Sequence, residues 1–113
     1  MYLSKFANEE STFVVNVILK DEDGVVITPK TLEWGLYDNQ GTVINSRQNV
    51  VITTPESSNN IVLKGDDLSI ISDDMMREER VLQVDATYDS IYGSDLPHSE
   101  EFRFFVQNLK GTV

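Results

Sequence analysis

The side chains best suited to catalysis are those of His98, Ser99 and Glu100, which follow Pro97 directly. Histidine is the commonest general acid or base near neutral pH, and a serine nucleophile needs such a base to activate it. Catalysis also needs such groups held against an orienting partner, whereas these residues stand in a predicted loop. Because His98 is the only histidine in the chain, we predict that the protein is not an enzyme.

Carboxylates are the other chemically capable groups, and many of them occur as adjacent pairs. Adjacent acidic residues on a strand face away from each other, so these pairs do not indicate glycoside hydrolysis. The acidic run 21–24 offers oxygen ligands for calcium. It lacks the distant glutamate of an EF-hand loop, and its Asp-Gly ending is typical of a turn. We therefore predict neither a metal nor a cofactor.

Composition narrows the choice of partner. The 113 residues include 19 acidic and 9 basic side chains, a net charge of -10 that disfavours binding to nucleic-acid phosphates. No stretch approaches the roughly 20 apolar residues of a membrane-spanning helix. The first residues lack the basic and long apolar regions of an export signal. We expect a protein made in the cytoplasm that leaves it only within an assembled particle, with a protein partner and neither nucleic acid nor membrane.

The elements that must position these groups are β-strands. Short runs of alternating apolar and polar residues, closed by Gly, Asn, Asp or Pro, predict about seven strands and one shorter piece at 25–27. The strands fall near 11–20, 31–37, 42–45, 49–53, 61–64, 81–88 and 101–107. One short helical turn is predicted near 72–79 and a loop at 89–99. The pattern indicates an all-β antiparallel sandwich.

One face of each predicted strand supplies the core, and the only tryptophan, Trp34, lies on such a face. The domain is expected to cover residues 11–113, and residues 1–10 form either an added edge strand or an arm that reaches a partner. The expected core side chains are Phe13, Val15, Val17, Leu19, Leu32, Trp34, Leu36, Leu82, Val84, Ala86, Tyr88, Phe102, Phe104 and Val106.

A resemblance adds detail to this fold. Segments 19–24 and 29–38 resemble the B-turn-C region of bacterial and phage immunoglobulin-like domains, while 81–88 is similar to their strand F and 102–109 to their strand G. The resemblance implies an immunoglobulin-like sandwich with Trp34 packed across it. A small, acidic, cysteine-free sandwich also resembles the virion-associated proteins of tailed bacteriophages. That likeness implies a capsid decoration (cement) protein located in the virion, whose partner is a capsid or tail protein.

Two other functions stay open. One is a tail or receptor-recognition module, including one that binds glycans, which aromatic side chains clustered at one end of the domain would favour. The other is an accessory domain of an enzyme, which a deep pocket holding His98 beside a buried carboxylate would favour. A homo-oligomer is a further alternative.

Apolar residues outside the expected core are the candidates for partner binding. Tyr2, Leu3 and Phe6 precede the first predicted strand, and Ile91 and Tyr92 lie in the predicted loop. Tyrosine and other large apolar side chains are favoured at protein interfaces. We predict these five residues as the partner-binding set. Val14, Ile18 and Phe105 also face away from the core, and they form one patch only if their strands share a sheet.

Overall fold

Strands make up nearly all of the regular structure. The computed structural model describes residues 2–3, 5–70 and 77–108. Its strands are β1 (Ala7–Asn8), β2 (Thr12–Val17), β3 (Thr31–Asp38), β4 (Val50–Val51), β5 (Asn59–Lys64), β6 (Arg77–Ser90) and β7 (Gly93–Gln107), with a 3-10 turn at Gly65–Leu68. The predicted all-β class is confirmed. Within the described residues no helix is long and apolar enough to cross a membrane.

The strands form two sheets. One has five strands in the order β1-β7-β6-β3-β4, and the other contains β2 and β5. All neighbouring strands are antiparallel except β1 and β7, which pair in parallel through Ala7 with Val106 and Asn8 with Gln107. The larger sheet is therefore mixed rather than purely antiparallel. Tyr2 also bridges Arg103 in parallel, so Tyr2 and β1 both lie along β7 at an edge of the sheet.

A long hairpin of β6 and β7 corrects two predictions. The predicted loop 89–99 is wrong, because Gly93 onward belongs to β7 and only Ile91 and Tyr92 form the turn. The predicted helical turn is wrong for residues 77–79, which pair with 105–107 of β7, while 72–76 lie outside the described residues. Cross-strand hydrogen bonds outweigh the local helix signals here.

The core lies between the two sheets. Trp34 is 7% exposed, and Val84 is its neighbour on β6. Val17 on β2 belongs to the same cluster of buried apolar side chains. Phe13 of β2 stacks on Phe104 of β7 at 4.9 Å between ring centroids, which places β7 opposite β2 in the facing sheet. The predicted alternation therefore turns its apolar side inward in both sheets.

Asp67 ties the 3-10 turn to the segment between β3 and β4. Its carboxylate is fully buried and accepts hydrogen bonds from Arg47 Nε at 2.7 Å, Asn45 Nδ2 at 2.8 Å and the Lys64 backbone N–H at 3.1 Å. Burial by itself would raise the pKa of Asp67. The hydrogen bonds from Arg47, Asn45 and Lys64 outweigh burial and lower it.

Candidate partner-binding surfaces

The turn of the β6–β7 hairpin carries two exposed apolar residues. Ser90 pairs with Gly93, which leaves Ile91 and Tyr92 as a two-residue turn. Gly93 has a φ of +153°, a backbone conformation that residues other than glycine rarely adopt. Ile91 is 87% exposed and Tyr92 is 64% exposed. These two residues form the hairpin tip, the most exposed apolar feature in the described part of the chain.

Contacts just behind the hairpin tip hold it in place. Tyr88 is buried and donates a hydrogen bond from its hydroxyl to Glu22 Oε2 at 2.5 Å. The Glu22 carboxylate raises the pKa of Tyr88 because it stabilises the neutral phenol. Lys30 lies 2.7 Å from Asp95 Oδ1 and 3.5 Å from Asp89 Oδ1, which joins both strands of the hairpin to the start of β3. These bonds hold the residues on either side of the hairpin tip, and we call this part of the hairpin its fixed base.

A second group of aromatic side chains lies at the other end of the hairpin. Phe105 on the outer face of β7 stacks on Tyr2 at 6.3 Å and contacts Phe6 at 5.8 Å between ring centroids. The Arg77 guanidinium carbon lies 4.7 Å from the centroid of Phe105 and 5.4 Å from that of Phe6, a cation–π arrangement. Tyr2, Phe6, Arg77 and Phe105 form the N-terminal aromatic surface.

The N-terminal aromatic surface is fixed to β6 by hydrogen bonds. The Tyr2 hydroxyl donates to Glu79 Oε2 at 2.7 Å, and this carboxylate raises the pKa of Tyr2. Tyr2 is 63% exposed and Phe6 is 43% exposed. Leu3 instead packs against the core, so it offers a partner less surface than its neighbours do. Its backbone N–H donates to Arg103 O at 2.8 Å, as expected of an edge strand.

The predicted partner-binding residues therefore form two surfaces. Arg103, which pairs with Tyr2, lies ten residues along β7 from Gly93 beside the hairpin tip. At about 3.3 Å per residue, the two surfaces lie roughly 33 Å apart. The molecule measures 54 × 25 × 23 Å, so they lie toward opposite ends of an elongated body.

The exposed aliphatic residues of β2 face a different direction. Val14 pairs with Val62 of β5 on the outer face of the two-stranded sheet, and Ile18 is 46% exposed nearby. Phe105 belongs to the other sheet, so it forms no joint patch with Val14 and Ile18. Sequence reasoning missed Val62, although its place between the inward-facing Ile61 and Leu63 indicates that it points outward.

The polar residues singled out for chemistry are separated in space. Ser99 donates to Asp85 Oδ1 at 2.6 Å. His98, the next residue along the strand, points to the opposite side, where Nε2 lies 3.9 Å from Glu100 Oε1. The Glu100 side chain is 39% exposed, so the carboxylate nearest the imidazole is not a buried one. This arrangement does not place the serine where the imidazole could activate it.

The acidic run 21–24 is a hydrogen-bonded turn. Carboxylate oxygens of Asp21, Glu22 and Asp23 lie within 4.8 Å of one another. However, Asp21 Oδ1 accepts hydrogen bonds from the backbone N–H groups of Asp23 and Val25, both at 2.9 Å, and Glu22 accepts the Tyr88 hydroxyl. These bonds explain the run as an Asx-type turn that supports the hairpin base.

Comparisons of the chain with protein-family models, with curated proteins and with solved structures find no match.

Proposed function

We propose that this protein is a non-enzymatic interaction protein, and specifically a virion component of a tailed bacteriophage such as a capsid decoration (cement) protein. One observation carries the proposal: Ile91 and Tyr92 are 87% and 64% exposed on the hairpin tip. An apolar residue and an aromatic residue side by side on a projection are typical of the anchors that insert into a pocket on a partner.

The fixed base of the hairpin tip supports binding by contact. A preorganised projection loses little conformational entropy when it binds, so more of its contact energy appears as affinity. Tyr88 and Lys30 supply this preorganisation through their bonds to Glu22, Asp89 and Asp95. The acidic residues beside the hairpin tip also suit a partner pocket with basic side chains at its rim.

The strand order supports the immunoglobulin-like part of the proposal. Immunoglobulin-like sandwiches pair strands B and E in one sheet and order G, F, C and C′ in the other. Here β2 and β5 take the places of B and E, and β7, β6, β3 and β4 take those of G, F, C and C′. Fold likeness alone does not give function, so the virion assignment needs a direct test.

Sedimentation with capsids tests the virion assignment. Purified capsids of tailed bacteriophages are mixed with the protein and pelleted, and the bound protein is counted per capsid subunit. We expect saturable binding in a fixed ratio to the capsid lattice. Failure to pellet with any capsid above the level of an unrelated acidic protein of similar size would contradict the virion assignment.

The double variant Ile91→Ser/Tyr92→Ser tests the role of the hairpin tip. We expect capsid affinity to fall about 100-fold, because truncation of each anchor costs about 1.4 kcal/mol and each such loss is about a factor of ten in affinity. Val51→Ser is the matched control, since Val51 is 63% exposed on β4, on another part of the surface. Both variants should unfold at the same urea concentration as the parent. Equal losses of binding in the two variants would show that the hairpin tip is not the contact.

A recognition module that binds glycans is the second candidate, and the N-terminal aromatic surface favours it. Tyr2 and Phe6 both contact Phe105 at one end of the molecule. On a glycan array this function predicts binding that Tyr2→Ser abolishes and Ile91→Ser/Tyr92→Ser retains. An array without signal, together with capsid binding through the hairpin tip, would exclude it.

A further inference from the structure

The outer edge of β2 is an open hydrogen-bonding edge. Ser11 O accepts from Gly65 N–H and Leu19 O accepts from Ile27 N–H, both at 3.0 Å. Gly65 directly follows β5, so the odd-numbered residues of β2 direct their backbone groups toward β5, while Ile27 belongs to the segment between β2 and β3. By strand alternation, Thr12, Val14, Asn16 and Ile18 direct theirs the other way. Among the described residues β2 has only β5 as a strand neighbour, so these groups are free to pair.

The β2 edge lacks the residue types that usually protect an edge strand. Residues 11–19 include no charged residue, no proline and no glycine. The edge of β7 differs, although it is also open between Gly93 and Phe102. Arg103 O accepts a hydrogen bond from Leu3 N–H, and Gln107 O accepts one from Glu9 N–H. The backbone groups of the odd-numbered residues at this end of β7 therefore face away from β6. Pro97 and Glu101 are among them, and a proline without an N–H and a charged residue both discourage strand addition.

A groove follows the β2 edge, between it and β7. It has a volume of about 450 Å³, with Leu3, Ile18 and Phe102 as its apolar walls and Lys20, His98 and Glu100 as its polar ones. A smaller cleft of about 180 Å³ continues it past Leu3 and Lys5 along Phe13 and Asn16. His98 Nε2 is buried in this region and finds no hydrogen-bond partner among the described residues. A buried polar atom without a partner marks a place where a ligand group gains a hydrogen bond.

We propose that this groove binds an extended segment of a partner protein, which adds to the two-stranded sheet as a third strand along β2. Main-chain hydrogen bonds to Val14, Asn16 and Ile18 give affinity, and alternate side chains of the segment enter the groove. The inference does not rest on the proposed function, because it concerns a different face from the hairpin tip.

Charge defines the chemistry of the segment. Lys5 lines the cleft at one end and Lys20 lines the groove at the other. No ion pair to either lysine occurs within the described ranges, although the protein carries a net charge of -10. Glu100 is the one acidic residue among those that line the groove and the cleft, so the two lysines set the chemistry of the ends. The occupant is therefore an apolar extended segment with a carboxylate near each end.

The layering of the sheets argues against a second copy of β2 as the occupant. Phe13 stacks on Phe104, so β7 lies opposite β2, and β1 is the next strand outward. The vacant strand position beside β2 therefore lies over β1. A second copy paired through its own β2 would bring its five-stranded sheet into the layer that β1 already occupies. An extended segment of a partner protein needs space only in the layer of β2 and β5.

A peptide titration tests the inference. The probe is a fluorescein-labelled peptide, Asp-Thr-Val-Thr-Val-Thr-Val-Asp, followed by fluorescence anisotropy with the intact protein. One control peptide has lysine at both ends, and another has proline in place of the central threonine. We expect the acidic peptide to bind, the lysine-ended peptide to bind at least about tenfold more weakly, and the proline peptide to lose binding because a ladder hydrogen bond is missing.

Protein variants locate the peptide. Lys5→Glu/Lys20→Glu should reverse the preference toward the lysine-ended peptide, whereas Lys64→Glu on β5 should leave binding unchanged, as should Ile91→Ser/Tyr92→Ser. Absence of binding at about 1 mM peptide, equal binding of acidic and basic peptides, or equal effects of the Lys64 and Lys5/Lys20 changes would overturn the proposal. So would a peptide-free dimer that Ile18→Lys dissociates, since the edge would then belong to a second copy.

Discussion

Replacement of Trp34 by alanine is expected to lower the free energy of unfolding by about 4 kcal/mol, the range for a large aromatic residue lost from a core. Trp34 is 7% exposed and lies within the cluster that joins both sheets. Its removal takes away apolar contacts and leaves a cavity that neighbouring side chains fill only in part. Urea unfolding followed by circular dichroism measures the change.

Two further variants keep this prediction testable even if Trp34→Ala fails to fold. Trp34→Phe retains an aromatic ring, and we expect it to cost about 1–2 kcal/mol while the protein stays folded. Val51→Ala on the neighbouring β4 should change stability by less than about 0.5 kcal/mol, because Val51 is largely exposed. A loss below about 1 kcal/mol for Trp34→Ala would show that the two sheets do not close around this side chain.

Asp67→Ala is expected to have the second largest effect on stability and to lower the free energy of unfolding by about 2–3 kcal/mol. Truncation of a buried ion pair usually costs about 3–5 kcal/mol, and the value is reduced here because Arg47 is 37% exposed. The substitution also leaves the Lys64 N–H without its acceptor. Asp66→Ala is the matched control, since Asp66 is the exposed neighbour in the same turn.

The same carboxylate predicts a dependence of stability on pH. The pKa of Asp67 is lowered below its ordinary value of 3.8 in the folded protein, so its contribution is complete at neutral pH. The contribution begins to fall as the pH drops past that ordinary value and is lost below the depressed folded pKa. When the pH is lowered from about 5 to 2, the free energy of unfolding of Asp67→Asn should therefore fall by less than that of the parent protein. Parallel pH profiles for the two proteins would contradict the assignment.

Local alternation in the sequence was enough to predict the class of fold. The inward faces of β2, β3, β6 and β7 agree with the expected core because period two alone decides which side chains share a face. Trp34 lies where the pattern placed it, buried on β3.

The extent of the β6–β7 hairpin could not be predicted in the same way. Pro97 and the polar residues around it indicate a loop when taken locally. Pro97 lies in the edge strand at an outward position, where its missing N–H costs no ladder bond. Residues 77–79 likewise become strand through their pairing with β7. Both outcomes depend on pairing between segments that are distant in sequence.

The candidate surfaces were predictable one residue at a time but not as surfaces. The exposure of Ile91 and Tyr92 follows from a turn between two strands. The contact of Tyr2 and Phe6 with Phe105 and Arg77 needs the parallel pairing of β1 with β7, which no local pattern encodes. Arg80 shows the limit most clearly: a charged residue in sequence, it is 2% exposed and bonded to Glu78 and Ser69 O.

The claim that this protein works by contact through its hairpin tip is tested most directly by amide hydrogen exchange on the capsid-bound protein. We expect slower exchange on binding at residues 90–93, with no change at Val50 and Val51 on the opposite edge of the same sheet. Protection confined to Tyr2, Phe6 and their neighbours, with the hairpin tip exchanging as in the free protein, would contradict it.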